Sequence, residues 1–426
     1  MKYKRVKLPN GGVLNYVKNN ISKTSMIEIM FNCGSRCDTI PGLAHFTEHM
    51  FFTGTDTMTK EEISKKYFDF IYVNAFTNYA QIAFEGNVLT NELEDYVSTV
   101  EMLINKSTFT QEAVDKEIPV VQQEIALYKD KYDWISESDN YFNLTKDETA
   151  KNEIIGTEAS VGSIKSKDVK DYVKKYFIAN NMEVYVSSPL SLSKVKSIVV
   201  KKLESKLPKN NKFKKLPNYV FKIENANFLS LKHKDIGKSY LYLNFNFDKY
   251  AKDHEFVAKF ELLTSMINDA SEGIAKDLRI EKSLIYSGKF ENEFTDDYGL
   301  TTFKTECEKG NVNKVVETIA EYIKRKAEQG FSEEELNKAK RKFNYKDESK
   351  EPRVKDEMKK LYEYKYFDKI IDKEQIKKWK QQTSLDEINT IFKSVFAVNP
   401  RVSLSVFGDI DKKELISKAK FDKLFK

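Results

Sequence analysis

Gly42-Leu43-Ala44-His45-Phe46-Thr47-Glu48-His49-Met50 is the stretch from which the fold and the chemistry of this chain can be inferred. The 426-residue chain has only four histidines, and two of them stand here four positions apart. On a helix, positions i and i+4 share a face and position i+3 lies beside them. An isolated histidine is more often a core residue. The pair with Glu48 instead predicts that His45 and His49 bind one metal ion, with Glu48 directed toward the same ion.

A third metal ligand has to come from elsewhere, because a catalytic zinc site uses three protein ligands and keeps one position open for water. The pattern of residues 111–128 predicts a helix that carries Glu117 and Glu124, two turns apart on one face. Either glutamate could instead be a solvated helix residue. Pro119 lies between them and predicts a kink, because proline removes a backbone donor inside a helix.

These segments, together with Gly34-Ser35-Arg36, resemble the insulysin/pitrilysin superfamily of zinc metallopeptidases. The half-size members, akin to bacterial processing-peptidase-like enzymes and mitochondrial processing peptidase, match the length best. In this inverted zincin pattern the motif carboxylate acts as a base. The resemblance therefore implies one zinc ion per chain with the ligands His45, His49 and Glu124. It implies that Glu48 is the general base and that Glu117 orients a ligand imidazole from outside the ligand set.

The second half of the chain carries a further resemblance in Leu278-Arg279-Ile280-Glu281-Lys282-Ser283-Leu284-Ile285-Tyr286. The superfamily has an arginine and a tyrosine at this spacing, at a passage from helix to strand. A phenol can donate to the oxyanion that develops on a scissile carbonyl, and a guanidinium can hold a substrate carbonyl. We expect these roles for Tyr286 and Arg279. The alternative is that Tyr286 packs on the sheet and Arg279 pairs with an acidic neighbour.

Asn74-Ala75-Phe76-Thr77 resembles the superfamily's strand beside the zinc. An exposed edge strand can accept the substrate as an additional strand through main-chain hydrogen bonds, which makes Asn74, Ala75 and Phe76 candidate substrate-binding residues. Asn74 could otherwise be an ordinary turn residue. The superfamily usually has glycines before this strand, whereas this chain has Phe68-Asp69-Phe70-Ile71-Tyr72-Val73, so we expect a reshaped groove.

The two halves of the chain repeat one order of elements: strands, helices, a strand pair, a run of helices and a closing strand. This order predicts an α+β fold with two homologous domains of about 200 residues, each an antiparallel or mixed sheet covered by helices. Lys201–Asn218 is polar and basic, contains two prolines and is typical of a linker. We place the zinc-binding domain at residues 1–207, the linker at 208–220 and the domain that contributes Arg279 and Tyr286 at 221–426.

Composition excludes several other classes of protein. No apolar run approaches the ~20 residues of a membrane span, and the N-terminus lacks the apolar stretch of a secretory signal. The net charge of +6 is spread over 71 basic and 65 acidic residues without a focused basic patch, which argues against nucleic-acid binding. Three cysteines imply no disulfide framework and favour the cytoplasm. Cys33 and Cys37 are expected to be buried thiols.

The predicted function is a zinc-dependent endopeptidase that cleaves peptides or unfolded segments. A hydrolase of another bond, or a non-catalytic partner subunit of a processing-peptidase-like heterodimer, are the alternatives. In the superfamily, full-length enzymes have two such halves that face each other. The resemblance therefore implies a homodimer with two composite sites, each with zinc from one chain and Arg279 and Tyr286 from its partner. A heterodimer remains open.

Overall fold

The computed structural model describes residues 3–20, 22–128, 131–145, 154–214, 228–232, 236–249, 251–295, 298–348, 354–367, 371–408 and 410–425. The chain forms two compact units. The first contains Met1–Lys131, Glu148–Tyr219 and Pro352–Lys365. The second contains Tyr132–Asp147, Val220–Glu351 and Tyr366–Lys426. Each unit is therefore built mainly from one half of the sequence but includes a segment of the other half.

The first unit contains a six-stranded mixed sheet with the order β1-β2-β6-β3-β5-β4. Only β2 and β6 pair in parallel, and the other neighbours are antiparallel. The strands are β1 (Lys4–Lys7), β2 (Val13–Lys18), β3 (Thr24–Phe31), β4 (Tyr72–Thr77), β5 (Ile82–Leu89) and β6 (Met182–Ser188). The helices of this part of the chain are α1 (Leu43–Met50), α2 (Lys60–Phe68), α3 (Leu93–Lys106), α4 (Gln111–Tyr128), α6 (Glu158–Ser163), α7 (Ser166–Tyr176) and α8 (Leu192–Lys202).

The sheet of the first unit is covered on both faces, which explains why seven of the eight residues of the central strand β3 are buried. On one face, the rings of Phe31, Phe51 and Phe177 pack together, with centroids 4.5–4.8 Å apart. Phe51 directly follows α1, so this aromatic contact fixes the end of α1 against the sheet. The position of α1 thus follows from core packing.

The opposite face of this sheet is covered by helix α12 (Val354–Phe367), which comes from the second half of the sequence. Met358 and Leu361 of α12 form one hydrophobic cluster with residues of β2, β3, β5 and β6. The Tyr362 ring lies 4.8 Å from the Tyr185 ring. Because side chains alternate along a strand, one face of β2, β3, β5 and β6 packs on α12 and the other faces the helices of the first half.

The second unit contains a five-stranded mixed sheet with the order β7-β11-β8-β10-β9. Its strands are β7 (Phe228–Lys232), β8 (Ser239–Phe247), β9 (Ile285–Phe294), β10 (Gly299–Cys307) and β11 (Arg401–Gly408), of which β7 and β11 are parallel. Its helices are α9 (His254–Ile267), α10 (Val312–Gln329), α11 (Glu333–Glu348), α13 (Lys373–Gln382), α14 (Leu385–Phe392) and α15 (Lys418–Leu424). A π-helical segment, Lys276–Glu281, precedes β9.

Helix α5 (Tyr132–Leu144) belongs to the second unit although it comes from the first half of the sequence. The Ser136 and Tyr242 hydroxyl groups lie 2.7 Å apart, and the Asn244 amide donates to the Asn140 side-chain oxygen at 2.9 Å. The sequence pattern predicts α5 and α12 as helices, but nothing local in it indicates that each packs in the unit of the other half. Sequence patterns do not show this exchange of helices, because the position of a helix depends on which face of a sheet the other elements leave uncovered.

The predicted fold class is confirmed, since both units are mixed sheets covered by helices. Both halves of the chain contain the predicted order of strands, helices, a strand pair, a run of helices and a late strand. Helices α6, α8, α13 and α15 are absent from the sequence prediction. Lys201 and Lys202 end α8, whereas residues 215–220 of the proposed linker lie outside the described residues. The domain boundaries at 207 and 221 stay a prediction. Cys33 and Cys37 are buried free thiols, as predicted.

Candidate metal and peptidase site

Helix α1 begins at a defined position because Asp38 caps it. The Asp38 carboxylate accepts hydrogen bonds from the backbone N–H of Gly42 at 3.0 Å and of Ala44 at 2.8 Å. Gly42 has φ +87°, a conformation that favours glycine, and a Cβ there would lie 2.7 Å from the Ile155 carbonyl oxygen. The loop therefore enters the helix in one conformation, which sets the direction in which the following side chains point.

His45 and His49 lie on one face of α1, as the i, i+4 spacing predicts, with ring centroids 4.7 Å apart. Glu124 of α4 faces both rings. Its Oε2 is 3.3 Å from His49 Nε2 and 3.8 Å from His45 Nε2. Within the described residues, these three side chains form a group whose ligand atoms all lie within 4.8 Å of one another. Two imidazole nitrogens and one carboxylate oxygen fit a zinc ion that keeps a fourth position open.

Glu117 contacts His49 from the other side of the ring, with Oε1 3.2 Å from Nδ1. This contact leaves Nε2 free to face Glu124, so it fixes the ring orientation that a metal ligand needs. The carboxylate of Glu117 is buried, and its second oxygen accepts a hydrogen bond from Lys60 Nζ at 2.7 Å. His49, Glu117 and Lys60 thus form a continuous chain of polar contacts from α1 through α4 to α2.

Pro119 does not separate the two glutamates, because α4 runs as one helix from Gln111 to Tyr128. Pro119 and Asp115, whose carbonyl loses its helical partner, both lie on the exposed face. Water can therefore satisfy the Asp115 carbonyl. Glu117 and Glu124 consequently reach opposite nitrogens of a single imidazole ring.

Glu48 is buried on α1, and its Oε2 accepts a hydrogen bond from the Thr77 hydroxyl of β4 at 2.6 Å. The carboxylate is thereby held in one rotamer beside the histidine pair. Burial raises the pKa of Glu48 to about 7, although the hydrogen bond from Thr77 opposes this shift. No pattern in the sequence indicates this role for Thr77.

The two histidines differ in their electrostatic surroundings. Burial lowers the pKa of His45 to about 4, and the neighbouring His49 acts in the same direction. Burial also opposes a charge on His49, but the carboxylates of Glu117 and Glu124 raise its pKa to about 9. His45 Nδ1 is buried without a hydrogen-bond partner among the described residues. The carboxylates of Glu117 and Glu124 thus both contact His49, and Glu124 lies farther from His45 than from His49.

The predicted substrate strand is β4, and it is an edge strand of its sheet. The register places Asn74 opposite Glu85, Ala75 opposite Phe84 and Phe76 opposite Ala83. Because side chains alternate, Ala75 shares the face of Thr77, toward α1, whereas Asn74 and Phe76 point to the other face. Phe76 packs there against the cluster that contains residues of α12. Of the three residues, only Ala75 thus shares the side-chain face of the histidine pair.

Arg279 and Tyr286 lie in the second unit, on the π-helical segment and at the start of β9. The Arg279 guanidinium carbon is 5.0 Å from the centroid of the Tyr286 ring, which is a cation–π contact. Tyr286 is 81% exposed, so it does not pack on the sheet. Among the described residues, no carboxylate forms an ion pair with Arg279. The structure therefore contradicts both parts of the structural alternative, and the catalytic roles of Arg279 and Tyr286 stay a prediction.

Lys60 and Asp38 are the site residues that sequence reasoning missed. Lys60 begins α2, 57 residues before Glu117, and no spacing pattern links the two positions. Asp38 precedes the predicted helix by a few residues, which is a position where an N-terminal capping carboxylate could have been suspected.

No helix in the described part of the chain combines the length and apolar character needed to cross a lipid bilayer.

Comparison with known proteins identifies the family. A family model described as "Insulinase (Peptidase family M16)" matches residues 14–158. A second, described as "Peptidase M16 inactive domain", matches residues 163–343. The uncharacterized zinc protease YmxG of Bacillus subtilis (strain 168) is 26% identical over 347 residues, which are 79% of this chain and 81% of the relative. A probable mitochondrial-processing peptidase subunit beta of Arabidopsis thaliana is 26% identical over 203 residues, 47% of this chain and 38% of that relative.

Similarity to solved structures agrees with these matches at the level of the fold. The first half of the periplasmic protease PqqL from Escherichia coli superimposes with a TM-score of 0.77 at 18% identity, covering 99% of this chain and 96% of that chain. The resemblance seen in the sequence motifs is confirmed. This chain belongs to peptidase family M16, the insulysin/pitrilysin group, and its length fits the half-size members.

Proposed function

We propose that this chain is a zinc-dependent endopeptidase that cleaves peptides or unfolded segments. The observation that carries the proposal is the convergence of His45, His49 and Glu124 within 4.8 Å, with Glu48 held beside them. Family membership and the relatives named as zinc proteases support a peptidase in general. The donor set of two imidazoles and one carboxylate favours one zinc ion per chain.

Zinc bound by His45, His49 and Glu124 would polarise the scissile carbonyl and make a water molecule more acidic. Glu48 takes the proton from the attacking water at its carboxylate and then transfers it to the leaving amine, first as general base and then as general acid. The Thr77 hydroxyl holds the Glu48 carboxylate in the orientation that this transfer needs. Glu117 keeps the His49 ring in its tautomer and orientation.

The free edge of β4 supports binding of the substrate as an added strand. Main-chain hydrogen bonds to an edge strand give affinity with little dependence on sequence. Among the predicted residues Asn74, Ala75 and Phe76, only alternate ones would contribute backbone groups to this pairing, because successive residues of a strand direct their N–H and C=O groups to opposite edges. The Tyr67 hydroxyl donates to the Asn74 carbonyl at 3.0 Å, so this oxygen already accepts a hydrogen bond within the protein.

Arg279 and Tyr286 are proposed to stabilise the tetrahedral intermediate, by holding a substrate carbonyl and by donating to the oxyanion. Tyr286 is exposed and contacts Arg279 through its ring, so both side chains are accessible to a substrate bound by another subunit. We place them in the site of a second subunit, so that a homodimer has two composite sites. A heterodimer is the alternative, since mitochondrial processing peptidase relatives are described as subunits.

The composite site can be tested by mixing two inactive variants, Glu48→Gln and Tyr286→Phe. If subunits exchange and sites are shared, some mixed dimers contain one site without a substitution, and part of the activity returns. Absence of recovery despite demonstrated subunit exchange would contradict a shared site.

Zinc analysis and peptide cleavage by the wild type and by Glu48→Gln test the peptidase proposal itself. The amide keeps the shape of the side chain but cannot accept a proton, so we expect unchanged zinc content and loss of cleavage. Cleavage by Glu48→Gln at the wild-type rate would show that the assigned base is wrong.

A non-catalytic partner subunit is the second candidate, and one finding favours it. Residues 163–343 match the model described as an inactive domain. That part contains Arg279 and Tyr286 and none of the proposed zinc ligands. A wild-type protein that binds no zinc and cleaves no peptide of a quenched-fluorescence library would favour the partner role.

The cytoplasm is the proposed compartment. The support is the odd number of cysteines, all of them free and buried, which is the usual state in a reducing environment.

A further inference from the structure

The loop between α2 and β4 presents an unusual concentration of apolar surface. Residues 68–72 read Phe-Asp-Phe-Ile-Tyr, and three of these side chains are exposed: Phe68 to 63%, Ile71 to 66% and Tyr72 to 49%. Single exposed apolar side chains are common, but a contiguous group is typical of a binding surface. We call Phe68, Ile71 and Tyr72 the apolar patch.

The base of the apolar patch is anchored. Tyr67 is fully buried, donates to the Asn74 carbonyl and packs its ring 5.4 Å from the Phe68 ring. Phe70, which lies between the exposed residues, turns inward and contacts the buried Tyr96 with ring centroids 5.5 Å apart. Two inward rings therefore hold the loop against the unit and leave the three patch side chains outside.

The patch is continuous with the proposed substrate strand. Tyr72 is the first residue of β4, and Thr77, which touches Glu48, is the last. β4 pairs with β5 on one side, and no described strand pairs with its other side. Five residues of strand span about 17 Å. A peptide added along β4 would therefore reach from Glu48 at one end to the patch at the other.

We propose that the apolar patch is a distal substrate subsite that binds an apolar side chain four to six residues from the scissile bond. This inference rests on the proposed function. The substrates it selects are extended peptides with an aliphatic or aromatic residue at that distance. Main-chain pairing along β4 holds the peptide residues between the scissile bond and the patch. The patch adds a preference for apolar side chains, which main-chain pairing alone does not provide.

A second copy of the chain is the competing occupant, and the area of the patch argues against it. Three partly exposed side chains offer a few hundred Å² at most. A stable interface buries about 800 Å² on each partner. A single extended peptide arm matches the smaller area.

The test uses a decapeptide library with quenched fluorescence, cleaved by the wild type and by the double variant Phe68→Ser/Ile71→Ser. We expect the wild type to favour apolar residues four to six positions from the cleaved bond by about five- to tenfold, and the variant to lose this preference. Preferences next to the cleaved bond should not change. Tyr345→Ser is the matched control, because it removes an aromatic side chain that is 73% exposed on α11. It should behave as the wild type.

Binding of labelled decapeptides to Glu48→Gln, with and without the patch substitutions, separates this inference from the proposed function. If the wild type cleaves nothing but Glu48→Gln binds apolar peptides in a patch-dependent way, the peptidase proposal fails and the subsite stands. Equal selectivity and equal binding with and without the patch would overturn the subsite. A changed sedimentation coefficient with unchanged selectivity would also overturn it, and would assign the patch to self-association.

Discussion

The histidine–glutamate site of the first unit and the Arg279–Tyr286 pair of the second unit are held in very different ways. In the first unit, hydrogen-bond partners hold two functional side chains: Thr77 holds Glu48, and the buried Glu117 holds His49. In the second unit, Tyr286 is 81% exposed and stacks with Arg279. A metal site requires ligands that are fixed in advance, whereas side chains that act on a bound substrate can remain exposed until it arrives.

The largest effect is expected for Glu124→Ala, which removes one of the three proposed metal ligands. Loss of partners outside the ligand set typically costs 10–100-fold in metal affinity, so loss of a ligand should cost more than about 100-fold. Zinc content after dialysis and peptide cleavage should both fall. Glu112→Ala is the control on the same helix, because Glu112 is exposed and pairs only with Lys116. Unchanged zinc content in Glu124→Ala would move the third ligand to another residue, with Glu117 tested next.

Tyr286→Phe should reduce kcat about 100-fold, as the loss of one oxyanion donor typically does. Zinc content and thermal stability should not change, because the hydroxyl of this exposed side chain supports no part of the fold. Because Tyr286 is exposed, unlike the buried residues of the first unit's site, its substitution should lower activity without lowering stability. A lower melting temperature with intact kcat would show that Tyr286 is structural.

Thr77→Val should lower kcat by about tenfold, since a hydrogen bond to a carboxylate is worth about 1.5 kcal/mol. Valine keeps the β-branched shape but cannot donate to Glu48. Thr77→Ser should restore most of the rate because it keeps the hydroxyl. KM and zinc content should remain near the wild-type values in both variants. If Thr77→Ser is as slow as Thr77→Val, the hydroxyl is not what orients Glu48.

The smallest effect is expected for Lys60→Ala, which removes the cation that holds the buried Glu117 carboxylate. Lys60 is more than half exposed, so the pair is partly screened. We expect zinc affinity to weaken by about two- to fivefold in a competition with a chelator. In a Glu117→Gln background the same substitution should have no further effect. Lys65→Ala, on the exposed face of the same helix, is the control. Equal losses in both backgrounds would show that Lys60 acts independently of Glu117.

Local patterns were sufficient for much of the fold. Strand alternation and helical periodicity predicted the sheets and most of the helices, because both depend on side chains a few positions apart. Of the four missed helices, α8, α13 and α15 are rich in lysine and α6 has only six residues, so their apolar faces are too small to stand out in the sequence. The exchange of α5 and α12 was not predictable locally, since it depends on which face of a distant sheet needs a cover.

Local sequence was enough to specify the chemistry of α1, because helix geometry over five residues places His45, Glu48 and His49 on one face. It also provided the two glutamates of α4, whose separation of seven residues is a helical repeat. The contact of both glutamates with one imidazole ring, and the contacts of Thr77 and Lys60 with the site, depend on tertiary packing. The contacts of Thr77 and Lys60 join residues 29 and 57 positions apart. Their existence depends on how α1, α2, α4 and β4 pack around a common core, which no local periodicity encodes.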